Sequence, residues 1–592
     1  MSGNKPIINL FLTGLPETWE INNQSVCLGE WCKIPGQEYT NVLSDIPTLP
    51  YHWKSQNEIR DAIDYTEEVY EELLPIISGW LNEIHNLDKQ VQYWRIILGK
   101  YLHYYISYLY DRYICLKKAC LQFDSVNICG IDSSSFITPA DNNDFMKLIV
   151  TDDLFNHQLF TQIACWLGYD IHTVKYDRIH EKNNAFENHV DKSDSIRKIK
   201  IFLSNIMYSK NRATHCEVPI INTNMPRHIA LNLSIRSLFT IQLYRHPDNY
   251  KLNNTRNYSL RKGLSELEAS DDFATLVLRS LEINMPFSFI ENFMPSLEYS
   301  INVMKNKNYP ALYVMGYTPS NVKTLAWIAN GIEKGSKLLG VQHGGAYGEF
   351  LYDSREHYER SISDYYVTWG WKSEDDDIPM PAPLLIDLPR QKNRKNEDYI
   401  LWIGTACSRY PEMLWNQLYY PTQNYYHRRQ IRFYNSLSEN IKNKILLRLK
   451  PGHEEGMDIW LKEKLPGLKL DDYSEKYIDC AVKAQIIVCD HLGGTTFLEA
   501  LAMNKPIIAF SQVSNILIRD NARPYYELLK KYEIIHETPE SAGKLLNKIY
   551  GNIDEFWNDN ERQQAIQQYK RTFARTSNTP VKDWNVFIKS IL

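Results

Sequence analysis

The stretch from Ile486 to Phe510 constrains this chain more than any other: Ile-Ile-Val-Cys-Asp-His-Leu-Gly-Gly-Thr-Thr-Phe-Leu-Glu-Ala-Leu-Ala-Met-Asn-Lys-Pro-Ile-Ile-Ala-Phe. A short β-branched apolar run enters a turn from Asp490 to Thr495, followed by a helical run from Thr496 to Asn504 and a second apolar run from Pro506 to Phe510. Such a βαβ unit commits its surroundings to a parallel sheet covered by helices. The turn after its first strand lies at the carboxyl edge of that sheet, where a helix N-terminus presents unpaired N–H groups and partial positive charge to an anion. Thr495 and Thr496 are placed to cap the helix or to donate hydroxyls to a phosphate, and Glu499 to close a capping box with Thr496 or to reach a ribose hydroxyl. Taken alone, Gly-Gly-Thr-Thr is more simply a capped helix after a tight turn. The rest of the chain shifts that balance.

The same alternation runs through the C-terminal third. Strand-like runs at Tyr399 to Ile403, Ile445 to Leu449, Leu468 to Asp471, Ile486 to Val488, Pro506 to Phe510 and Ile534 to His536 are separated by helical ones. This predicts a doubly wound domain of about six parallel strands over 399–592, with C-terminal helices from Thr538 long enough to pack back across the first domain. Upstream, strands are expected at Pro6 to Thr13, Ser25 to Trp31, Asp124 to Cys129, Asp170 to Tyr176, Ala311 to Met315, Lys337 to Val341 and Asp364 to Thr368, giving an α/β domain over 1–371. A helical insertion (about 56–122) interrupts it, with Tyr93, Tyr101, Tyr104, Tyr105 and Tyr108 at helical spacing. Arg178 to Asn257 offers only short apolar runs such as Ile199 to Ile206 and Val218 to Ile221. Lys372 to Asp398 carries an acidic run, four prolines and then a basic run, and reads as a solvated linker (372–398).

At 592 residues the chain is too long for one core. Its net charge of -5 argues against a nucleic-acid partner, and its 44% hydrophobic and 23% charged residues are those of a soluble protein. The ten cysteines are scattered without zinc spacing, so no metal site is expected and reduced thiols in a cytoplasm are the default. The N-terminus lacks the pattern of a signal peptide, and no run of about 18 uncharged apolar residues occurs.

Two α/β domains joined by one linker bring two sheet edges face to face, with the ligand in the cleft between them. From the first domain the turn Gln342-His343-Gly344-Gly345 would line it, His343 pointing inward. From the second come Gly404-Thr405, then Arg448-Leu449-Lys450-Pro451-Gly452-His453, in which Arg448 and Lys450 share a strand face, and Asp490 to Thr496, including His491 and Gly494. All three follow strands of one sheet, where a nucleotide phosphate would be gripped. No Asp-x-Asp metal motif stands at a comparable turn, so leaving-group charge would fall to the helix N-terminus and the cations, without a metal cofactor. Trp415 to Phe433 is aromatic and basic; a solvated helix face is favoured over a membrane contact.

With these residues in view, the chain resembles a family of bacterial transferases encoded with surface-polysaccharide and flagellar glycan genes, distantly similar to capsule polysaccharide synthesis transferases of the GT-B fold that use CMP-activated ketosugars. The matching pieces are Phe11 to Trp19, Leu28 to Cys32, Tyr93 to Gly99, Gln342 to Gly348, Ile362 to Trp371 and Asp490 to Pro506. The resemblance implies a GT-B-like pair of Rossmann-like domains and a CMP-linked Kdo or nonulosonic acid of pseudaminic or legionaminic type as donor. It further implies a surface glycan or glycoprotein acceptor, a nucleotide held by the second domain, and Glu499 on the ribose. In capsule-type relatives a His-Pro element binds the phosphate; here the region reads Lys450-Pro451-Gly452-His453, which makes Arg448 and Lys450 the safer ligands. A carboxylate or His343 would assist the acceptor hydroxyl, the carboxylate candidates being Glu30, Glu349, Asp353, Glu356 and Glu359. The expected place is the cytoplasm, with peripheral contact at the inner membrane and the oligomeric state left open. A UDP- or GDP-sugar transferase, a sugar-nucleotide epimerase or hydrolase, and a non-catalytic glycan-binding protein follow in that order as alternatives.

Overall fold

The computed structural model describes residues 7–33, 42–176, 217–244, 253–304, 308–391, 397–405, 408–411, 423–450 and 457–592. Its strands form three sheets, parallel throughout. In the first, β1 (Ile8–Phe11), β2 (Ser25–Cys27), β3 (Val126–Ile131) and β4 (Ile171–Val174) lie in the order β2-β1-β3-β4. In the second, β5 (Val218–Ile221), β6 (Ile241–Leu243), β7 (Leu312–Met315), β8 (Lys337–Val341), β9 (Tyr365–Thr368) and β10 (Asp377–Pro379) lie in the order β10-β9-β8-β7-β5-β6. The third holds β11 (Ile400–Ile403), β12 (Ile445–Arg448), β13 (Lys469–Leu470), β14 (Ile486–Cys489), β15 (Ile507–Phe510) and β16 (Ile535–His536) in the order β13-β12-β11-β14-β15-β16. That last order is the Rossmann one. β5, β7, β11, β14 and β15 are buried at every position, because helices cover both faces, and this is why they read as unbroken apolar runs.

Every strand expected from the sequence is present. Val218–Ile221, read there only as an apolar run, is β5, the strand at which the order of the second sheet reverses. The four earliest strands do not join β7 to β9, so the span 1–371 holds two sheets. The expected helical insertion is a pair, α1 (Gln56–His85) and α2 (Val91–Cys120), parted by Asn86 in the left-handed region with φ 51°. α2 is buried on all sides, not along one stripe. Its tyrosines bury their rings, and Tyr101 and Tyr105 also hydrogen-bond at the tip: Tyr101 donates to the Asn284 carbonyl at 2.8 Å and Tyr105 to Ser280 at 2.7 Å.

Over 372–391 the expected solvated linker is packed structure, and 392–396 lie outside the described residues. Asp377 turns inward and accepts from the Ser373 and Glu374 amides and from Arg360, which lets Asp377–Pro379 pair with β9 as an edge strand. Ala382 and Leu385 behind it are fully buried. The acidic run is therefore a capped turn, and Pro379 sits on the edge strand where no amide is needed.

The turns after β8 and β9 are locked together around Gln342. Its amide oxygen accepts from the Trp369 backbone N–H at 2.8 Å and the Trp371 indole at 2.9 Å, its backbone carbonyl takes the Trp369 indole at 2.8 Å, and its amide N–H donates to the Gly344 carbonyl. Gly370, at φ 124°, lets the C-terminal segment pass: a Cβ there would lie 2.6 Å from the Arg571 carbonyl. The helix Pro580–Ile591 then returns to the second sheet, burying Trp584 and Ile588 among Val218, Ile220 and Val314. Gln342→Leu leaves two buried N–H groups without an acceptor, each worth about 1–3 kcal/mol. The expected outcome is a lower urea midpoint by circular dichroism; an unchanged midpoint would show that these donors find other partners.

Candidate functional site

In doubly wound sheets, ligands sit beyond the carboxyl ends of the strands where the strand order reverses. In the second sheet this point lies between β5 and β7 and in the third between β11 and β14. The turns that follow these strands, together with the turn after β8, meet directly. A Cβ on Gly345 would lie 2.6 Å from the Gly493 carbonyl and 3.1 Å from the Thr495 amide, and the Gly345 N–H donates to the Thr495 hydroxyl at 3.1 Å. Gly345 thus brings backbone against backbone.

Three turns build the second sheet's side. Asn222 and Asn224 hold φ of 50° and 59°, a region that Asn tolerates better than most residues. Gly316 passes against the Asn222 carbonyl, only 2.5 Å from where a Cβ would stand. The Asn224 amide donates to the His343 carbonyl at 3.3 Å. His343 Nδ1 lies 3.2 Å from Glu359, on the helix Ser354–Ser361, and the same carboxylate accepts the Tyr347 hydroxyl at 3.3 Å and the Tyr366 hydroxyl at 3.2 Å. Tyr317 stands edge-on to the imidazole, ring centroids 5.1 Å apart. A carboxylate so placed orients the imidazole and selects its tautomer.

Of the carboxylates named from the sequence, Glu359 alone contacts His343 among the described residues. Glu349 is buried and accepts the Tyr526 and Tyr569 hydroxyls, and burial raises its pKa; it pins the helices Arg523–Lys531 and Asn560–Phe573. Asp353 caps the helix that carries Glu359 and pairs with Arg355 at 2.5 Å. Glu356 accepts the Gly348 amide at 3.0 Å and the Arg519 guanidinium at 2.9 Å. Glu30 stands on a 3-10 turn after β2, on the four-stranded sheet, which the helix Gln423–Asn435 approaches.

On the third sheet the buried Asp490 is the organising group. It accepts the Trp402 indole at 3.1 Å, the Tyr426 hydroxyl at 2.8 Å, the Gln430 amide at 2.9 Å and the Thr405 N–H at 3.3 Å, and His491 Nδ1 lies 3.2 Å away. One carboxylate thereby fixes the turns at Gly404-Thr405 and His491. Gly494 is the N-cap of the helix Thr495–Ala502 and no side chain caps it, which corrects the expected capping box. A Cβ on Gly494 would collide with the His491 ring at 2.4 Å. Thr495 and Thr496 are half-exposed at the helix start. Glu499, one turn along, has no hydrogen-bond partner among the described residues, and burial pushes its pKa up to about 7.

Arg448 does not point a bare charge at a ligand. It pairs with Asp471, donates to the Glu475 carbonyl at 3.1 Å and lies over the Tyr473 ring. Lys450 is exposed, and His453 lies outside the described residues. Among the described residues, metal-ligand spacing occurs at Glu67, His103 and His357, from three helices, whose ligand atoms lie within 4.8 Å of one another. Those groups pair among themselves: Glu67 binds both imidazoles and the Tyr352 hydroxyl, and the imidazoles hold its carboxyl far below the usual range. The second sheet's turns also receive Lys100 of α2, which the sequence did not single out. Its ammonium stands 3.8 Å over the Tyr317 ring and 3.4 Å from the Thr318 carbonyl.

Two doubly wound parallel sheets meeting at their carboxyl edges, with the chain's last helix returning to the earlier one, define a protein of GT-B-like architecture. The chain belongs to the LIC12162 family transferases, whose model matches residues 8–588. Comparison with curated proteins gives no match. Among solved structures it is similar to the wall teichoic acid polymerase TagF, at 11% identity and a TM-score of 0.30, covering 68% of this chain and 98% of that one. It is also similar to S. aureus MnaA with UDP, at 11% and 0.34, covering 63% and 95%, and to UDP-GlcNAc 2-epimerase from Neisseria meningitidis bound to UDP-GlcNAc, at 10% and 0.36, covering 63% and 98%. At such scores the architecture rests on the strand orders described above. Among the described residues no helix is long and apolar enough to cross a membrane.

Glu499 gives a signed prediction. Its folded pKa, about 7, lies above the ordinary 4.5, so its carboxyl costs nothing below pH 4.5 and destabilises increasingly as pH rises through 7. Glu499→Gln is therefore expected to raise the melting temperature at pH 8 and to leave it unchanged at pH 4.5. An equal shift at both pH values would mean that its effect is packing alone.

Proposed function

We propose that this transferase is a glycosyltransferase that moves a sugar from a nucleotide donor to a bacterial surface glycan or glycoprotein, the donor being a CMP-activated ketosugar of nonulosonic or Kdo type. The observation that carries the reading is the His343–Glu359 pair on one sheet edge facing the open N-terminus of the helix Thr495–Ala502 on the other. The helix N-terminus, with the Thr495 and Thr496 hydroxyls, is the place for the nucleotide phosphate. Glu499, without a hydrogen-bond partner among the described residues, would accept a ribose hydroxyl.

In the reaction His343 takes the proton of the acceptor hydroxyl while that oxygen bonds to the anomeric carbon. The bond from that carbon to the phosphate oxygen breaks, and CMP leaves with the electron pair. Glu359 stabilises the imidazolium that forms. The second sheet and its helices hold the acceptor, the third the nucleotide. The capsule-type similarity of the sequence favours the CMP donor, and Arg448 is withdrawn from the phosphate because Asp471 already holds it.

Calorimetric titration with CMP, CDP, UDP and GDP, with and without Mg²⁺, tests the donor. Preferential binding of CMP is expected, whereas selective UDP binding would move the reading to a UDP-sugar transferase. His343→Ala is expected to keep nucleotide affinity and to lower transfer by about 10²–10⁴-fold, the usual contribution of a general base. Loss of nucleotide binding in that variant, with transfer falling only in proportion, would overturn the role given to His343.

A further inference from the structure

From these contacts we infer that Lys100 and Thr318 form an anion-binding subsite beside His343, which receives a carboxylate of the substrate. Lys100 is buried, with 8% of its surface exposed, and makes no ion pair among the described residues. An ammonium has three donors, and here one is used, in a long 3.4 Å bond to the Thr318 carbonyl. The face of Tyr317 offsets part of the desolvation but accepts no second strong hydrogen bond. Buried charges in folded proteins are ordinarily paired and hydrogen-bonded, so an ammonium left in this state marks the place of an anion that arrives from outside. A second, independent observation lies one residue from that ring: Thr318 is also buried, at 1% exposure, and its hydroxyl has no hydrogen-bond partner among the described residues.

The position fits a ligand. Thr318 follows β7 at the point where the strand order reverses between β5 and β7. Lys100 comes from α2, a helix outside that sheet, so the chain has brought a cation in from elsewhere to complete the turn. Tyr317 joins the two halves of the site, with Lys100 over its face and His343 at its edge. A group bound by Lys100 and Thr318 is therefore close to the reacting carbon. The identity of the anion rests on the donor reading above: a ketosugar acid carries its carboxylate on the anomeric carbon, next to the bond that His343 would help to form. The existence of the subsite does not rest on it.

The test uses the full chain, with free Kdo, the C1 methyl ester of Kdo and inorganic phosphate as probes in calorimetry. Wild type is expected to bind Kdo, with the ester and the Lys100→Gln and Thr318→Val variants weaker by about tenfold or more, as for loss of a charge-assisted hydrogen bond. Thermal unfolding without ligand is the second readout. Lys100→Met removes a buried charge that lacks a partner, so the ligand-free melting temperature should hold or rise, and a fall would make Lys100 a structural residue and overturn the subsite. Equal Kdo affinity in wild type and Lys100→Gln would overturn it too, as would nucleotide binding by a protein that binds neither Kdo nor phosphate. Lys100-dependent binding of phosphate without Kdo would support the subsite and overturn its assignment to a ketosugar carboxylate, which separates its failure from that of the donor reading.

Discussion

Two sheets can meet at their carboxyl edges only if something small stands at the point of contact. Gly345 is that residue: the backbone of Gly493 to Thr495 occupies the volume a side chain would need. The rest of the arrangement follows from this approach. It brings the turn that carries His343 against the start of the helix Thr495–Ala502, and it draws Phe350 and Tyr347 into the core that also holds Phe497 and Leu501. Gln342 then holds the turn in shape, because three buried hydrogen bonds to Trp369 and Trp371 depend on one side-chain amide and its own carbonyl. The sequence pairs Gln-His-Gly-Gly with Trp-Gly-Trp 27 residues apart for that reason.

Much of the fold was legible because it is written in local patterns. A parallel sheet covered on both sides demands continuous apolar strands, and Ile486–Cys489 or Ile507–Phe510 has no other reading once its helix lies between them. What escaped was pairing at a distance. Nothing local in Val126–Ile131 says that it joins Ile8–Phe11 and not Leu312–Met315, so one expected unit proved to hold two sheets. The same blindness explains Lys372 to Asp398: its charge suggests solvent until Arg360 and two amides are seen to close on Asp377.

The candidate site divides in the same way. His343, Glu359, Thr495, Thr496 and Glu499 could be named from turns and strand ends, because their positions follow from the alternation of strand and helix. Arg448 shows what local pattern omits: a strand-end cation looks alike in sequence whether it stands free or is paired, and its partner Asp471 lies 23 residues on. Lys100 was passed over for the opposite reason. On a helix otherwise dense with tyrosines it reads as a polar interruption, and only its distance from Tyr317 shows where it points. Among the carboxylates, hydrogen-bond partners did the sorting, since Glu349, Asp353 and Glu356 each already hold part of the scaffold.

The return of the chain to the second sheet has a mechanical meaning. Gly370 passes Arg571 and Thr572, and the Arg575 amide and carbonyl bond to Trp369 and Ala382, so the segment that leaves the helix Asn560–Phe573 is fastened to the turns beside β9 and β10 before it enters the last helix. A pull between the two sheets is therefore carried by backbone hydrogen bonds as well as by the covalent chain.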